Sequence, residues 1–285
     1  MSFLHKDPPT TVETTTQTTT TRVPLPASER KYAVCFGMND YPGTNNDLNG
    51  CVNDANEWTS VLKDLYGFNV QTFINKDATA VRLINSIGNL IADSKALDHI
   101  VFTYSGHGTN VPDRNGDESD KRDEALCLYD RLLIDDELRV MFKELHPEAR
   151  LTFISDSCHS GTVTRAFLQT MGMDKAPKPR YMPPEDAEAY GIAPSSVRRS
   201  MYPESGMNEI LISGCLPSEY SYDARLGGRY MGAMSYYATL ILKENPNLTY
   251  ENFYKKLRTK LPSGRYCQTP QLEGSKENKA EKMFM

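Results

Sequence analysis

The sequence is short of the features that mark several large classes of protein. Its six cysteines are scattered, without a Cys-x-x-Cys pair or the dense spacing of a disulfide framework, which is typical of a reducing compartment. The net charge is −5 and no basic run is longer than Arg198-Arg199, which argues against a nucleic-acid surface. No apolar run approaches the roughly 20 residues of a membrane-spanning helix. We therefore expect neither a nucleic acid nor a membrane among the partners.

The first 30 residues lack the side chains that build a core. Residues 8–28 are dominated by Thr and Pro, so they bury too little apolar surface to offset the entropy lost on ordering. Residues 1–7 lack the apolar centre of a signal peptide. We predict a disordered tail over 1–30 and a cytoplasmic protein.

The rest of the chain has the pattern of an α/β protein. Strand-like apolar runs alternate with segments of helical periodicity, which indicates a mostly parallel sheet flanked by helices. Strands are predicted near 31–38, 69–74, 99–104, 125–129, 131–134, 151–155, 209–215 and 268–272, and helices near 52–65, 79–95, 135–145, 230–243 and 249–261, the last with Thr249 as N-cap. The polar segments 109–123 and 171–207 are predicted to lack regular structure.

Two short loops follow predicted buried strands. Residues 104–108 are Tyr-Ser-Gly-His-Gly, and residues 156–161 are Asp-Ser-Cys-His-Ser-Gly. Functional groups of open α/β sheets collect at the carboxyl ends of the strands. We therefore expect His107 and Cys158 to meet at one edge of the sheet.

A histidine and a cysteine in this position are the components of a nucleophilic active site. A cysteine thiolate attacks a carbonyl carbon, and a nearby histidine supplies the proton that the leaving amine needs. The backbone N–H groups of Gly108 and Cys158 are candidates for stabilising the oxyanion. The alternative is that Cys158 is an inert thiol at a strand end and His107 a hydrogen-bonded turn residue. Two glycine-framed loops at two strand ends favour catalysis.

These loops resemble those of a known family when further segments are taken with them. Residues 50–55 are Gly-Cys-Val-Asn-Asp-Ala, residues 134–138 are Ile-Asp-Asp-Glu-Leu, and residues 212–215 are Ile-Ser-Gly-Cys. Together with the two loops they resemble a metacaspase or its prokaryotic counterpart, an orthocaspase. The match runs in order from about residue 31 to 272, and the spacing from His107 to Cys158 is close to that of caspases.

The resemblance implies a fold, a division of the chain and an activity. The fold is a caspase-like three-layer α/β sandwich over 31–285, with a p20-like part (31–170), a linker (171–207) and a p10-like part (208–285). The activity is that of a cysteine endopeptidase of clan CD, peptidase family C14, which cuts after Arg or Lys with His107 and Cys158 as its dyad. The partners are then proteins or peptides that contain Arg or Lys, and we expect a monomer.

Four positions match those that line the substrate pocket of the family, namely Cys51, Asp54, Ser105 and Asp156. Asp156 lies at the same strand end as the nucleophile, and a parallel sheet brings the helix start near Asp54 to this edge. Two carboxylates in a partly dry pocket pair with a guanidinium or ammonium group far better than with an acid. The alternative is that both simply cap helices or turns.

Calcium is the one candidate cofactor, and the chemistry above requires none. The resemblance implies a site formed by Asp135, Asp136 and an acid of the preceding loop, Asp123 or Asp120. The family has a further acid where this chain has Arg165, and a cation cannot ligate calcium. A solvated acidic loop beside a helix N-terminus is the alternative.

The predicted linker contains basic residues in a polar context. They are Lys175, Lys178, Arg180, Arg198 and Arg199. An enzyme that cuts after basic residues has candidate sites for self-processing here, whereas the alternative is a surface loop kept solvated by its charges.

A different class of function stays open for the whole chain. A catalytically silent caspase-like scaffold or interaction module has the same sequence features, because a sequence does not show that the two loops are aligned. Clostripain-like and legumain-like peptidases are a second alternative, but their loop motifs are absent. A flavodoxin-like ligand binder is disfavoured because no phosphate-cradling glycine motif opens a helix.

Overall fold

A computed structural model describes residues 29–112, 122–158, 177–189 and 209–285 of the chain. The strands are β1 (Lys31–Gly37), β2 (Asn69–Ile74), β3 (His99–Ser105), β4 (Gly108–Pro112), β5 (Arg122–Cys127), β6 (Leu132–Ile134), β7 (Arg150–Asp156), β8 (Lys178–Pro179), β9 (Ile210–Ser213), β10 (Tyr222–Leu226), β11 (Arg229–Gly232) and β12 (Gln271–Glu273). The helices are α1 (Cys51–Ser60), extended by a π-helical turn (Val61–Leu65), then α2 (Ala80–Ala92), α3 (Asp135–Phe142), α4 (Pro184–Ala189), α5 (Ala233–Glu244), α6 (Tyr250–Arg258) and α7 (Lys276–Ala280). The predicted tail falls outside these ranges except for residues 29 and 30.

A six-stranded sheet in the order β12-β9-β7-β3-β1-β2 forms the centre of the molecule. Every neighbouring pair is parallel except β12 with β9, which is antiparallel. Two three-stranded sheets, β11-β10-β8 and β4-β5-β6, accompany it. A mostly parallel sheet flanked by helices confirms the predicted α/β class.

Both faces of the central sheet are buried, as the continuous apolar runs of its strands predict. Successive residues of β3 enter different clusters: Phe102 packs in the cluster that contains residues of α2 and α3, and Val101 in the cluster that contains residues of α1, α5 and α6. Phe102 stacks on Phe153 of β7 with ring centroids 4.5 Å apart. This packing fixes the ends of β3 and β7, from which the two loops depart.

The sequence prediction is wrong at several short elements. The segment 109–123 contains β4 and the start of β5, the segment 171–207 contains β8 and α4, and α5 begins at Ala233 because Arg229–Gly232 is a strand. These strands are stabilised by pairing with distant segments, which local periodicity does not report. Gly227-Gly228, with φ of +56° and +86°, turns β10 into β11, so a Gly-Gly hairpin turn was the available signal.

The remaining boundaries agree with the predictions to within a few residues. Thr249 caps α6 as expected, because its side chain accepts a hydrogen bond from the backbone N–H of Asn252. Within the described ranges, no helix combines the length and the apolar character needed to cross a bilayer.

Candidate active site

The two loops leave the same edge of the central sheet. β3 and β7 are adjacent and parallel, and Ser105 pairs with Asp156 in their register. His107 and Cys158 each follow two residues later, and both are buried. The topology thus places both residues at one edge of the sheet, where they were expected.

Two tyrosines hold the loop that carries His107. The Tyr41 hydroxyl accepts a hydrogen bond from the His107 N–H at 2.7 Å, and the Tyr104 hydroxyl donates to the His107 carbonyl oxygen at 2.7 Å. Gly106 lies between these hydroxyls, and a Cβ atom there would come within 2.8 Å of the Tyr41 oxygen and collide with Tyr104. Glycine at this position therefore permits the close approach that fixes the loop.

A backbone carbonyl orients the imidazole of His107. Its Nε2 lies 2.6 Å from the carbonyl oxygen of Asn46, and since that oxygen can only accept, Nε2 carries the hydrogen. Nδ1 is then unprotonated in the neutral ring and makes no well-formed hydrogen bond among the described residues. Burial lowers the pKa of His107 to about 4, against the opposing effects of the Asn46 and Arg180 backbones. The ring is therefore neutral at physiological pH, and one nitrogen is able to accept a proton.

Two backbone N–H groups converge on one carbonyl oxygen. Gly108 and Cys158 donate to the carbonyl oxygen of Arg180 at 3.0 and 3.1 Å. The Cys158 Sγ itself accepts a hydrogen bond from the Ser221 N–H at 2.7 Å. Paired donors of this kind polarise a carbonyl and stabilise the negative oxygen that forms when a nucleophile attacks it.

Three carboxylates form a second feature beside this carbonyl, which we call the acidic pocket. It consists of Asp54 on α1, Asp156 at the end of β7 and Asp223 on β10, all buried. Each carboxylate accepts a backbone N–H at 2.7 to 3.0 Å, from Gly232 to Asp54, from Ser235 to Asp156 and from Asn49 to Asp223. These bonds fix the carboxylates, so the pocket is built in advance around a cation.

The side chain of Arg180 fills the acidic pocket and is completely buried, with 0% exposure. Its Nη2 lies 2.6 Å from Asp54 and 3.5 Å from Asp223, and its Nη1 lies 3.3 Å from the Asp156 carboxylate. Nη1 also donates to the Asp156 backbone oxygen at 3.0 Å. The planar guanidinium thus contacts all three acids at once, as its forked donors permit.

Burial and charge act on the pocket in opposite directions. Burial raises the pKa of Asp54 to about 7, although Arg180 beside it pulls in the other direction. Burial likewise raises the pKa of Asp223. Burial opposes the charged form of Arg180, but Cys51 and the three carboxylates raise its pKa well above its ordinary value. The arginine therefore stays charged, and Asp54 is poised to titrate near neutral pH.

The other predicted pocket residues lie close to this centre. Cys51 is buried at the first turn of α1 and interacts electrostatically with Arg180. Ser105 is buried at the end of β3, and its carbonyl oxygen accepts the Met38 N–H at 2.9 Å. We find Asp54 and Asp156 on the bound guanidinium, Cys51 beside it, and Ser105 at the adjoining strand end.

Only some of the residues predicted for the calcium site lie within the described part of the chain. Asp135 and Asp136 lie in the first turn of α3, where Asp135 pairs with Arg139 at 3.1 Å, and Asp123 lies on β5. Within the described residues, no cluster of three or more metal-binding side chains is present. Asp120 and Arg165 lie outside those residues, so the calcium site stays a prediction.

Three contributors to the site were missed by the sequence predictions. Asp223 and Ser221 come from the β10 segment, which was not predicted as a strand, and Asn46 contributes only its backbone oxygen. The run Tyr-Asp-Ala-Arg-Leu (222–226) followed by Gly-Gly was the one signal for a strand at Asp223. No signal existed for Asn46, since any residue provides a carbonyl.

Comparisons with known proteins give the chain a family context. A family profile described as the caspase domain matches residues 30–280. Metacaspase-1 of Scheffersomyces stipitis is 33% identical over an alignment of 291 positions, which covers 87% of this chain and 71% of that protein. Metacaspase-1A of Aspergillus fumigatus is 29% identical, with coverage of 86% and 69%.

Two solved structures are similar to this chain over most of its length. A protein from Geobacter sulfurreducens superposes with a TM-score of 0.70 at 27% identity, over 90% of this chain and 98% of that one. Caspase-1 from Spodoptera frugiperda superposes with a TM-score of 0.57 at 14% identity, over 86% of each chain. The second likeness concerns the fold alone.

Proposed function

Because the chain belongs to the caspase domain family and is a metacaspase-like cysteine peptidase, we propose that it cuts peptide bonds after arginine or lysine, with Cys158 as nucleophile and His107 as proton carrier. The observation that carries this proposal is the acidic pocket with a guanidinium already bound in it. An acidic side chain placed there would be repelled by three carboxylates. The pocket is therefore not suited to a substrate with aspartate before the scissile bond.

The arrangement around the Arg180 carbonyl supports a sequence of catalytic steps. The Cys158 sulfur attacks a carbonyl carbon held as that of Arg180 is, and the N–H groups of Gly108 and Cys158 stabilise the resulting oxyanion. His107 carries its hydrogen on Nε2, held by Asn46, which leaves Nδ1 to take the thiol proton and pass it to the departing amine. Water then hydrolyses the thioester.

Arginine is expected to be a better substrate residue than lysine. A guanidinium reaches Asp54, Asp156 and Asp223 with two separate nitrogens. An ammonium group is a single point charge and cannot span the same carboxylates. Both are accepted on charge, with arginine preferred.

Matched peptides that differ only in the residue before the scissile bond test the proposal directly. Purified protein is assayed on peptides with Arg, Lys or Asp at that position, with calcium and with a chelator, beside Cys158→Ala. We expect cleavage after Arg, slower cleavage after Lys and none after Asp. Cleavage after Asp would overturn the pocket assignment, and no cleavage under any condition would favour the scaffold alternative.

Titration of Asp54 predicts how substrate binding changes with pH. Its folded-state pKa of about 7 means that the carboxyl is neutral below that pH and charged above it. This value holds with the guanidinium of Arg180 in the pocket, and an empty pocket lacks that stabilising charge, so its Asp54 pKa is higher. KM for an arginine peptide should therefore fall as the pH rises above about 7, while His107 is neutral in this range because its pKa is about 4. Asp54→Asn should have a higher KM that varies less with pH. An unchanged pH dependence in this variant would contradict the assignment.

Gly232 gives a steric test of the same pocket. A Cβ atom at this position would collide with the Asp156 carboxylate and with the guanidinium of Arg180. Gly232→Ala should therefore lower kcat/KM for arginine peptides by about 10-fold or more, mainly through KM, because it displaces the bound cation. Gly228→Ala is the matched control for activity, since a Cβ there meets nothing within 4 Å, although its φ of +86° costs some stability. Equal kinetics for the two variants would show that the cation does not bind here.

A further inference from the structure

We propose that Tyr220 makes this peptidase selective for an aromatic residue directly after the arginine, so that its preferred substrates are chains in which Arg is followed by Tyr, Phe or Trp. This inference rests on the proposed function, because it concerns the residue on the other side of the same scissile bond. The observations that carry it are the contacts of Tyr181, the residue that follows Arg180 in the chain.

Arg180 sets the register of the peptide that passes through the site. Its side chain occupies the acidic pocket, and its carbonyl oxygen receives the N–H groups of Gly108 and Cys158. A substrate arginine that uses the same pocket and the same two donors has its next residue where Tyr181 lies here. The surroundings of Tyr181 therefore describe the subsite that follows the scissile bond.

The other basic residues of the predicted linker do not define this register. Lys178 lies two positions earlier, and its Nζ donates to the Asp47 carbonyl oxygen at 3.0 Å in an exposed position. Lys175, Arg198 and Arg199 lie outside the described residues, so self-processing in the linker stays a prediction.

The main chain around Tyr181 is held on both sides by one residue, Gly108. The Gly108 N–H donates to the Arg180 carbonyl oxygen at 3.0 Å, and the Gly108 carbonyl oxygen accepts the Met182 N–H at 2.9 Å, so that Tyr181 forms a parallel bridge with Gly108. Successive side chains of an extended peptide point to opposite sides. Because the Arg180 side chain enters the acidic pocket, the side chain at position 181 is directed away from that pocket.

The Tyr181 side chain packs against an aromatic surface that we call the tyrosine platform. It consists of Tyr220, Cys158 and Cys215, which form one small buried cluster. The ring centroids of Tyr181 and Tyr220 are 6.1 Å apart, with the ring planes inclined by 55°. This separation lies within the range of favourable aromatic pairs. Because the platform includes the nucleophile, the ring contact is made directly beside the bond that is cut.

The backbone of Tyr220 is anchored through both of its neighbours. The Glu219 carboxylate accepts the N–H and the hydroxyl of Thr269 at 2.6 and 2.9 Å. The Ser221 N–H donates to the Cys158 sulfur at 2.7 Å. These anchors are independent of the peptide that crosses the site, so the Tyr220 ring is in place before a substrate binds, and little ordering is needed on binding.

An aromatic side chain is the occupant that this surface favours. Tyr, Phe or Trp after the arginine covers the Tyr220 ring and adds an aromatic pair, whereas alanine leaves the ring uncovered. Aspartate at the same position would bring a carboxylate close to the Cys158 sulfur, whose thiolate form repels it. We therefore expect the order of preference to be aromatic, then alanine, then aspartate.

Competition between peptides that differ only in the residue after arginine tests the inference. Peptides with Arg followed by Tyr, Phe, Ala or Asp are mixed in pairs, and the ratio of their products gives the ratio of their kcat/KM values. We expect the natural chain to cut the Tyr and Phe peptides about 10-fold faster than the Ala peptide, and the Asp peptide more slowly than the Ala peptide. Since both peptides compete for one enzyme, the displacement of Arg180 from the pocket affects them equally.

Variants of Tyr220 show whether its ring causes the preference. Tyr220→Ala should bring the ratio of Tyr to Ala peptides to within about 2-fold of one, and Tyr220→Phe, which keeps the ring, should retain the natural ratio. Tyr230→Ala is the matched control and should also retain it, because Tyr230 is a tyrosine of β11 with 41% exposure. A purely structural role of Tyr220 would lower cleavage of both peptides and leave the ratio unchanged, which would overturn the inference.

The remaining outcomes separate this inference from the proposed function. Equal cleavage of the aromatic and alanine peptides by the natural chain would overturn the inference and leave cleavage after arginine standing. Cleavage of none of the arginine peptides would overturn both. The comparison of peptides on the natural chain requires no variant, so it decides the matter even where Tyr220→Ala fails to fold.

Discussion

Cys158→Ala is expected to lower kcat/KM for arginine peptides by at least about 1,000-fold while the fold is retained. The change removes the sulfur that attacks the carbonyl but leaves the Cys158 N–H, one of the two donors to the substrate oxygen. The acidic pocket with its bound guanidinium should therefore persist without turnover. Peptide hydrolysis and thermal unfolding, measured side by side, check both parts.

Cys215→Ala is the matched control for this prediction. Cys215 packs in the same small cluster as Cys158. Its hydrogen bond with Cys158 and its burial raise the pKa of the Cys215 thiol well above its ordinary value, so it carries little thiolate at neutral pH. We expect activity within about 3-fold of the natural chain for Cys215→Ala. Loss of activity in Cys215→Ala, together with retained activity in Cys158→Ala, would indicate that Cys215 is the nucleophile and Cys158 is not.

Asp156→Asn is expected to have the second largest effect. The substitution keeps the volume but removes a buried charge that faces Nη1 of the bound arginine at 3.3 Å. Removing one partner of a buried charged pair costs roughly 2–5 kcal/mol, which corresponds to a loss of about 30-fold to several thousand-fold in kcat/KM for arginine peptides. The Asp156 carboxylate also accepts hydrogen bonds from Ser221 and Ser235, so thermal unfolding should be measured in parallel.

Two comparisons show whether the loss of activity in Asp156→Asn comes from specificity. The preference for arginine over glutamine peptides should decrease in this variant, because the pocket loses charge but not shape. Asp223→Asn should have a smaller effect, because its carboxylate lies 3.5 Å from Nη2, a nitrogen that Asp54 also binds at 2.6 Å, whereas Asp156 is the one of the three carboxylates that faces Nη1. An equal loss on arginine and glutamine peptides would indicate that Asp156 positions the nucleophile loop rather than the substrate cation.

The part of the site that was predictable depends on side chains with strong local signals. His107 and Cys158 follow long buried strands, so their convergence follows from the position of strand ends in a parallel sheet. The pairing of Asp54 with Asp156 was predicted from charge and from the family resemblance. In the structure both carboxylates contact one guanidinium.

The part that was not predictable depends on contacts between distant segments. β8 has only two residues and forms because β10 lies beside it, so its sequence carries no periodicity. Arg180 was one of several basic residues in a polar stretch, and only its position relative to the Gly108 and Cys158 amides distinguishes it. The Asn46 carbonyl is a backbone group, and since every residue has one, the residue type does not predict its role.

The central sheet has a consequence for the stability of the C-terminal part of the chain. β9 and β12 lie after residue 208, yet β9 pairs in parallel with β7, and Trp58 of α1 donates to Ser235 of α5 at 3.3 Å. Residues on both sides of the segment 171–207 thus share one hydrophobic core and the carboxylates of one pocket, Asp54 and Asp156 before it and Asp223 after it. The two parts should therefore unfold in a single cooperative transition, and neither part expressed alone should hold a complete acidic pocket.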